Sequence, residues 1–350
     1  MKKIFKILLV LLLLFLVAAG CVAGYVLSQF KPVSHNPDAE AVRFEIPYGT
    51  SAYQITKNLK EANLIKNNKV FYYLLLRPKY LKIFYKNYDF PDKLDFKSGM
   101  YKISPNMNYA DIILLLSSGK SEYVKLSIPE GLTISKIGKI LEENEICNAD
   151  DFITACKNQT IVDEYNIPFN SLEGYLFPDT YYFDIKTSAE KVARKMVNNF
   201  FDKISSIDSL KDVTPEKLNE IVILASIVER EYKLKEEAPL IASVFSNRIK
   251  INMGLQSCAT IEYIITEING LPHPERILES DLKIDSPYNT YKWAGLTPGP
   301  ISNPGIVALE ASANPAKTDY YFFQVIDASI GKHVFKKTFN EHKQIHVLIK

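Results

Sequence analysis

Twenty-one consecutive residues without a charge, Ile7 to Leu27, limit what the N-terminus of this chain can become. Leu8 to Val17 is almost wholly aliphatic. A run of that length crosses a hydrocarbon layer as one helix. It is longer than the usual apolar core of a cleaved secretory signal, and no clean small-x-small site follows it. Lys2, Lys3 and Lys6 precede the run. Basic residues favour the cytoplasmic side, so residues 1–6 are expected there, residues 7–27 in the membrane and the rest outside. Ala18-Ala-Gly-Cys21 keeps a lipoprotein processing site open as the second expectation, although Ala18 stands where a large aliphatic residue is usual. Both expectations export the body of the chain. Residues 28–41, with Lys31, Pro32, Ser34 and Pro37, read as an extended linker.

The remainder is a globular sequence. It is 47% hydrophobic and 23% charged, with a net charge of +2. That balance, without a long basic run, argues against nucleic acid as a partner. The cysteines Cys21, Cys147, Cys156 and Cys258 form no CxxC pair, and the histidines show no HExxH spacing. No metal site and no cofactor are therefore expected. Cys147 and Cys156 could bridge outside the cytoplasm, but free, partly buried thiols are the favoured reading.

Alternating and helical patterns intermix along the chain, which points to an α+β fold. Val42 to Pro47 alternates as a strand, Tyr48-Gly-Thr50 is a turn, and Ser51 to Asn63 has helical spacing. Ile46-Pro-Tyr-Gly-Thr with Ile55 and Leu59 is echoed by Ile128-Pro-Glu-Gly-Leu with Ile137 and Leu141. Both copies read as strand, glycine turn and amphipathic helix. Two copies fall short of a solenoid and suggest a duplicated small unit instead. The first copy is similar to a LysM module, a small glycan-binding fold. The expected layout is a LysM-like domain over residues 42–122 and a larger mixed domain over 123–350.

Three later stretches carry candidate chemistry. In Ser171-Leu-Glu-Gly-Tyr-Leu-Phe-Pro-Asp-Thr-Tyr-Tyr-Phe183, Glu173 and Asp179 sit among aromatic rings. Rings that stack on sugars, with carboxylates that accept hydroxyl hydrogen bonds, are a common way to grip glycans. A core segment with two turn acids fits the same residues. Thr214-Pro215 opens a helix whose uncharged run, Ile221 to Val228, meets Glu229-Arg-Glu231. A carboxylate at the edge of apolar surroundings has a raised pKa, as a general acid near neutral pH requires. The residues leave both glutamates open, with the more apolar stripe, Leu224, Ile227 and Val228, on the Glu231 side. Finally, Gly295 to Gly305 is too rich in turn residues for a regular element, and long ordered loops are often functional.

Ala225-Ser-Ile-Val-Glu-Arg-Glu231, Glu173-Gly-Tyr-Leu-Phe-Pro-Asp-Thr-Tyr181, Ser286-Pro-Tyr-Asn-Thr-Tyr291, Gly295-Leu-Thr-Pro-Gly-Pro-Ile301, Asn314-Pro-Ala-Lys317 and His333-Val-Phe335 together resemble the motifs of the endolytic murein transglycosylase MltG (YceG-like) family. The resemblance runs from the N-terminal anchor to about His342. It departs at Ser257-Cys-Ala-Thr260, where many relatives carry Thr-Asp-Pro-Thr, so no role for an acid carries over there. It implies cleavage of peptidoglycan glycan strands at the MurNAc–GlcNAc β-1,4 bond, leaving 1,6-anhydro-MurNAc ends and terminating strand growth. It assigns the single acid to Glu231, with Glu229 as an orienting or structural neighbour that also counts among the candidate substrate contacts. Asp179 joins the candidate glycan contacts, and Glu173, Gln256, Tyr288, Asn289 and Thr290 are expected to line the cleft. The implied partners are glycan strands, the membrane, and wall-synthesis and division proteins. A non-catalytic glycan-binding scaffold is the alternative.

Overall fold

A computed structural model describes residues 2–47, 49–91, 94–119 and 123–344, with side chains described from residue 11 onward apart from 22 and 23. Tyr48 of the expected first turn and residues 120–122 at the expected domain boundary lie outside the described residues. The chain divides into two compact units, Met1–Tyr123 and Val124–Lys350.

The first unit begins with α1 (Lys2–Gln29). Within it, Leu11–Gln29 is long and apolar enough to cross a membrane, with a mean hydropathy of 2.4. Its aliphatic side chains from Leu11 to Val17 stay more than half exposed, as a lipid-facing surface requires. After it come β1 (Val42–Ile46), α2 (Ala52–Glu61), α3 (Asn68–Leu76), α4 (Pro78–Phe84), β2 (Gly99–Ile103) and α5 (Tyr109–Ser118). β1 and β2 pair antiparallel, Phe44 opposite Tyr101. Phe71, Leu59, Tyr101 and Tyr109 fill the core beneath them.

The second unit opens on the same plan. β3 (Tyr123–Ser127), which starts one residue before the division, is followed by α6 (Ile134–Glu143), α7 (Ala149–Cys156), α8 (Gln159–Glu164) and β4 (Thr180–Asp184). β3 and β4 form one sheet. The sequence echo is thus a structural one: each copy is strand, three helices, strand. Gly49 and Gly131 adopt φ of +80° and +76° before the helix. Ser51 and Thr133 cap it, each side chain accepting from the backbone N–H three residues on. Asn63 and Glu145, both left-handed, end it, and Leu64 and Ile146 donate back to Leu59 and Leu141 at 2.9 Å each. Cys147 and Cys156 are both free thiols.

The rest of the second unit is α9 (Ala189–Ile204), α10 (Pro215–Val228), α11 (Ala238–Lys250), α12 (Cys258–Tyr263), α13 (Ile306–Ala313), the antiparallel hairpin β5 (Phe322–Asp327) and β6 (Lys332–Lys336), and α14 (Phe339–Lys343). α10 is capped by Thr214, with Pro215 in its first turn, and packs on α11 and α13. Every residue from Ile221 to Val228 is buried, as expected of a helix apolar on all sides. The helix stops at Val228. Arg230 and Glu231 donate their backbone N–H groups to Ile227 and Val228, three residues back, at 3.1 and 3.0 Å. Glu229, the C-cap, still bonds four residues back to Ala225 at 2.8 Å, so only Glu231 lies on a tightened turn beyond the helix, where regular helical spacing no longer holds.

Gly174 combines a left-handed backbone with rigid neighbours. Its φ is +88°, and a Cβ there would stand 2.6 Å from Pro300 Cγ and 2.7 Å from Val222 Cγ1. At Gly270, φ is also positive (+66°) but the space is open. Gly174→Ala is expected to lose about 3 kcal/mol or more of unfolding free energy in urea, from strain plus overpacking. Gly270→Ala should lose about 1 kcal/mol, from backbone strain alone.

Candidate active site

The second unit buries three carboxyl groups that the sequence singled out, and each meets a different environment. Glu173, 5% exposed, sits at the start of α6. The Ile134 N–H reaches both its carboxylate oxygens at 3.2 Å, and Asn303 Nδ2 donates to Oε1 at 2.8 Å. Burial pushes its pKa up to about 8, against the helix N–H and the amide. Glu229 is the C-cap residue of α10, and its Oε2 accepts the Gly305 N–H at the start of α13, at 2.9 Å. Tyr232 Oη donates to its other oxygen at 3.2 Å. Burial lifts Glu229 to about 7. Both groups thus satisfy orphan N–H donors at helix starts, a structural duty.

Glu231 caps no helix. It accepts a short hydrogen bond from Ser257 Oγ and lines a cavity of about 360 Å³, together with Arg248, Gln256, Tyr291, His333 and His342. Protein packs it on most sides while one edge remains open to this cavity, so it is only half-buried by surface area. Burial raises its pKa, opposed by the Ser257 hydroxyl and then by His333, Arg230 and Arg248. A protonated carboxylic acid facing a ligand-sized space can deliver a proton to a bound molecule. A larger concavity, about 830 Å³ between α10, α11 and residues 315–319, holds no buried carboxyl group. Size therefore does not single out a candidate site here, and the placement of Glu231 marks the smaller cavity as the candidate.

Of the expected cleft residues, Gln256 lines the cavity beside Glu231. Its φ of +53° is rare for a side-chain-bearing residue, and Thr290 O holds the conformation by accepting the Gln256 N–H at 3.1 Å. Thr290 and Asn289 are sealed and line no part of this cavity. Thr290 Oγ1 accepts the Ser257 N–H at 3.1 Å and so places the residue that bonds Glu231. Asn289 folds its own loop, donating to Leu282 O and Ile284 O and accepting from Tyr291 N–H. Tyr288 is half-buried and lies against Tyr263, ring centroids 5.2 Å apart, with burial pushing its pKa up to about 12. Asp179 opens on a different concavity, with Tyr181, Tyr182 and Lys195. Burial acts to raise its pKa, but hydrogen bonds from Asn199 and Thr180 and the Lys203 ammonium at 3.0 Å hold it below the ordinary value. The structure therefore brings Gln256 to Glu231 directly and Thr290 at one remove, and leaves Glu173, Asp179 and Asn289 elsewhere.

Sequence reasoning missed Arg248, Tyr291, Cys258 and His342 as cavity residues. It also missed Asn303 as the fastener beneath the site. The turn-rich loop carried the signal, since a buried loop must satisfy its own polar groups. Asn303 Oδ1 accepts the N–H groups of Gly174 and Leu176 at 2.9 Å each, and its Nδ2 donates to Leu132 O and Glu173. Ser226 in α10 accepts the Ile301 N–H and receives the Ser302 hydroxyl on its carbonyl.

The Glu173 shift has a sign that can be checked. A carboxyl with a folded pKa above its unfolded value near 4.5 holds its proton more tightly when folded. Its stabilising effect is full below that value and is lost as pH rises toward about 8. Urea unfolding of the wild-type chain should show stability falling across this window. Glu173→Gln should flatten the fall, and parallel curves would exclude the assignment.

Comparison with known proteins places this geometry. Residues 44–346 match the YceG-like family. The endolytic murein transglycosylase of Bacillus subtilis (strain 168) is 35% identical over 91% of this chain and 87% of its own length. That of Streptococcus pneumoniae serotype 2 is 31% identical over 95% of this chain, which spans 63% of that longer protein. The crystal structure of a yceG-like protein from Listeria monocytogenes superposes with a TM-score of 0.54 and 32% identity, covering 88% of this chain and 99% of that one. The chain belongs to the YceG-like family.

Proposed function

We propose that this protein is an endolytic murein transglycosylase that cuts peptidoglycan glycan strands within the chain, with Glu231 as its acid. The observation that carries the reading is the placement of Glu231, the one of the three buried acids Glu173, Glu229 and Glu231 that lines a ligand-sized cavity instead of capping a helix. The naming of the relatives as endolytic murein transglycosylases supports the same reaction and disfavours a non-catalytic scaffold.

One carboxyl group suffices for the chemistry. Glu231 protonates the glycosidic oxygen as the bond to C1 breaks. The C6 hydroxyl of the same MurNAc forms the new bond to C1, and the Glu231 carboxylate takes its proton. The nucleophile is already tethered, so the proximity advantage is internal. Inverting hydrolases, by contrast, need a second carboxylate to activate water. Ser257 steadies the carboxylate state in mid-cycle. Gln256 contacts the sugar from the cavity wall, while Glu173, Glu229 and Thr290 hold the frame around it.

α1 supports a membrane anchor. Lys2, Lys3 and Lys6 favour a cytoplasmic N-terminus, which would set the chain beyond α1 at the outer face, beside growing strands. The strand–glycine turn–helix opening of the first unit, LysM-like in sequence, suits a glycan contact, and wall synthases and division proteins are natural neighbours there. An epitope at the C-terminus should be destroyed by protease added to intact spheroplasts, and one at residue 1 should survive. The opposite pattern would reverse the orientation.

Glu231→Gln is expected to lower the release of anhydro-muropeptides from purified sacculi by about a thousandfold or more, with an unchanged circular dichroism spectrum. Retained turnover in a folded variant would remove Glu231 from the chemistry. Glu229→Gln should cost stability more than product type.

A further inference from the structure

The concavity of about 830 Å³ beside α10 and α11 shares no lining residue with the Glu231 cavity. α10 gives it Ile221 and Leu224, α11 gives it Ser243, Ser246 and Asn247, and the end of α13 gives it Ser312. Its last wall is residues 315–319, which hold most of the Asn314-Pro-Ala-Lys317 motif. That segment is stitched to α11. Ala316 donates its N–H to Pro239 O at 3.0 Å, and the Ser243 and Thr318 hydroxyls meet at 2.7 Å. Asn247 Nδ2 donates to Thr318 O and Tyr320 O at 2.9 and 3.1 Å. The backbone that carries Lys317 is thus pinned on both sides.

Two features of these walls are not explained by folding. Ser312 is 5% exposed, and its hydroxyl has no hydrogen-bond partner among the described residues. A buried helix serine ordinarily returns its hydroxyl to a carbonyl one turn back, as Ser226 does with Ile223 O at 2.7 Å. An unpaired buried hydroxyl costs stability, and alanine would fit the same helix without that cost. The second feature is charge. Glu220 is paired with Lys217 at 2.9 Å, and Asp319 with Lys337 at 2.5 Å. Lys250 and Lys317 line the same concavity, exposed and with no carboxylate partner among the described residues. An apolar floor, a buried hydroxyl and two spare ammonium groups complement an anion that carries apolar groups beside its charge. A bare phosphate would use the lysines and leave the floor unused.

We propose that this concavity binds the peptide stem of the glycan strand, with Lys250 and Lys317 holding a stem carboxylate and Ser312 a peptide group; the identity of the ligand rests on the transglycosylase reading. Stems offer the required mixture, alanine methyls for Ile221 and Leu224 and free carboxylates for the lysines. α11 borders both cavities, since Asn247 lines this one and Arg248 the one with Glu231. A helix is about 10 Å across. Five extended residues reach at most about 17 Å. A stem on a sugar beside Glu231 is therefore long enough to arrive.

The test uses the full chain in detergent and a fluorescent stem peptide, L-Ala-γ-D-Glu-L-Lys-D-Ala-D-Ala. Saturable binding is expected, weakened about tenfold or more by Lys317→Gln, by Ser312→Ala and by amidation of the peptide carboxylates. Urea unfolding of Ser312→Ala should show stability equal to or above wild type, which a purely structural hydroxyl would not allow. On strands, wild type should show a lower KM with stems in place than after amidase stripping, at similar kcat, and Lys317→Gln should erase the difference. No peptide binding, binding indifferent to both substitutions, or equal KM on the two strands would overturn the proposal. Phosphatidylglycerol vesicles bound in place of the peptide, with the same dependence on Lys317 and Ser312, would assign the concavity to a lipid phosphate and overturn it too. A wild-type chain that binds the peptide and cuts no strand would refute the transglycosylase reading and leave the stem site standing.

Discussion

One side-chain amide fastens the frame of the site. Asn303 binds the backbone at Gly174, Leu176 and Leu132 and the carboxyl of Glu173, all from a loop with no regular structure. A buried loop leaves polar backbone groups that water cannot reach, and each must find a partner. Asn303 supplies two donors and an acceptor where three segments of the chain meet. Ser226 does the same from inside α10, which ties the helix that leads to Glu231 to the loop that crosses it. The pairings are specific, so the loop has one position, and the turn after α10 inherits it.

The three buried carboxyl groups show why burial alone does not identify an active acid. Desolvation raises all three pKa values. Glu173 and Glu229 nevertheless spend their oxygens on helix-start N–H groups. Only Glu231 combines a perturbed environment with an open side. Its hydrogen-bond partner among the described residues is a hydroxyl, which can follow the carboxyl through both protonation states. That hydroxyl belongs to Ser257, the residue immediately before α12.

Much of the local structure was legible because its causes are local. Thr214-Pro215 announced the start of α10, and the helical spacing from Ser51 announced α2. The duplicated strand–turn–helix pattern was readable because both copies need a left-handed glycine and a hydroxyl cap. β4 was hidden inside an aromatic stretch, since its partner β3 lies more than 50 residues earlier. α4 and α8 are too short for a period to stand out. The site was half legible. Glu231 followed from its apolar approach and the family resemblance, and Gln256 from its motif. Asn289 and Thr290 looked like cleft residues because polar residues in a loop motif give no sign of whether they face a ligand or the loop itself.

The central claim is that the strand is cut by its own C6 hydroxyl and not by water. Cleavage of purified glycan strands in water enriched in oxygen-18 tests it directly, with new ends analysed by mass. The expected result is MurNAc ends one water lighter than the hydrolytic product and free of the heavy isotope. Reducing MurNAc ends carrying one heavy oxygen would contradict it and make the enzyme a hydrolase.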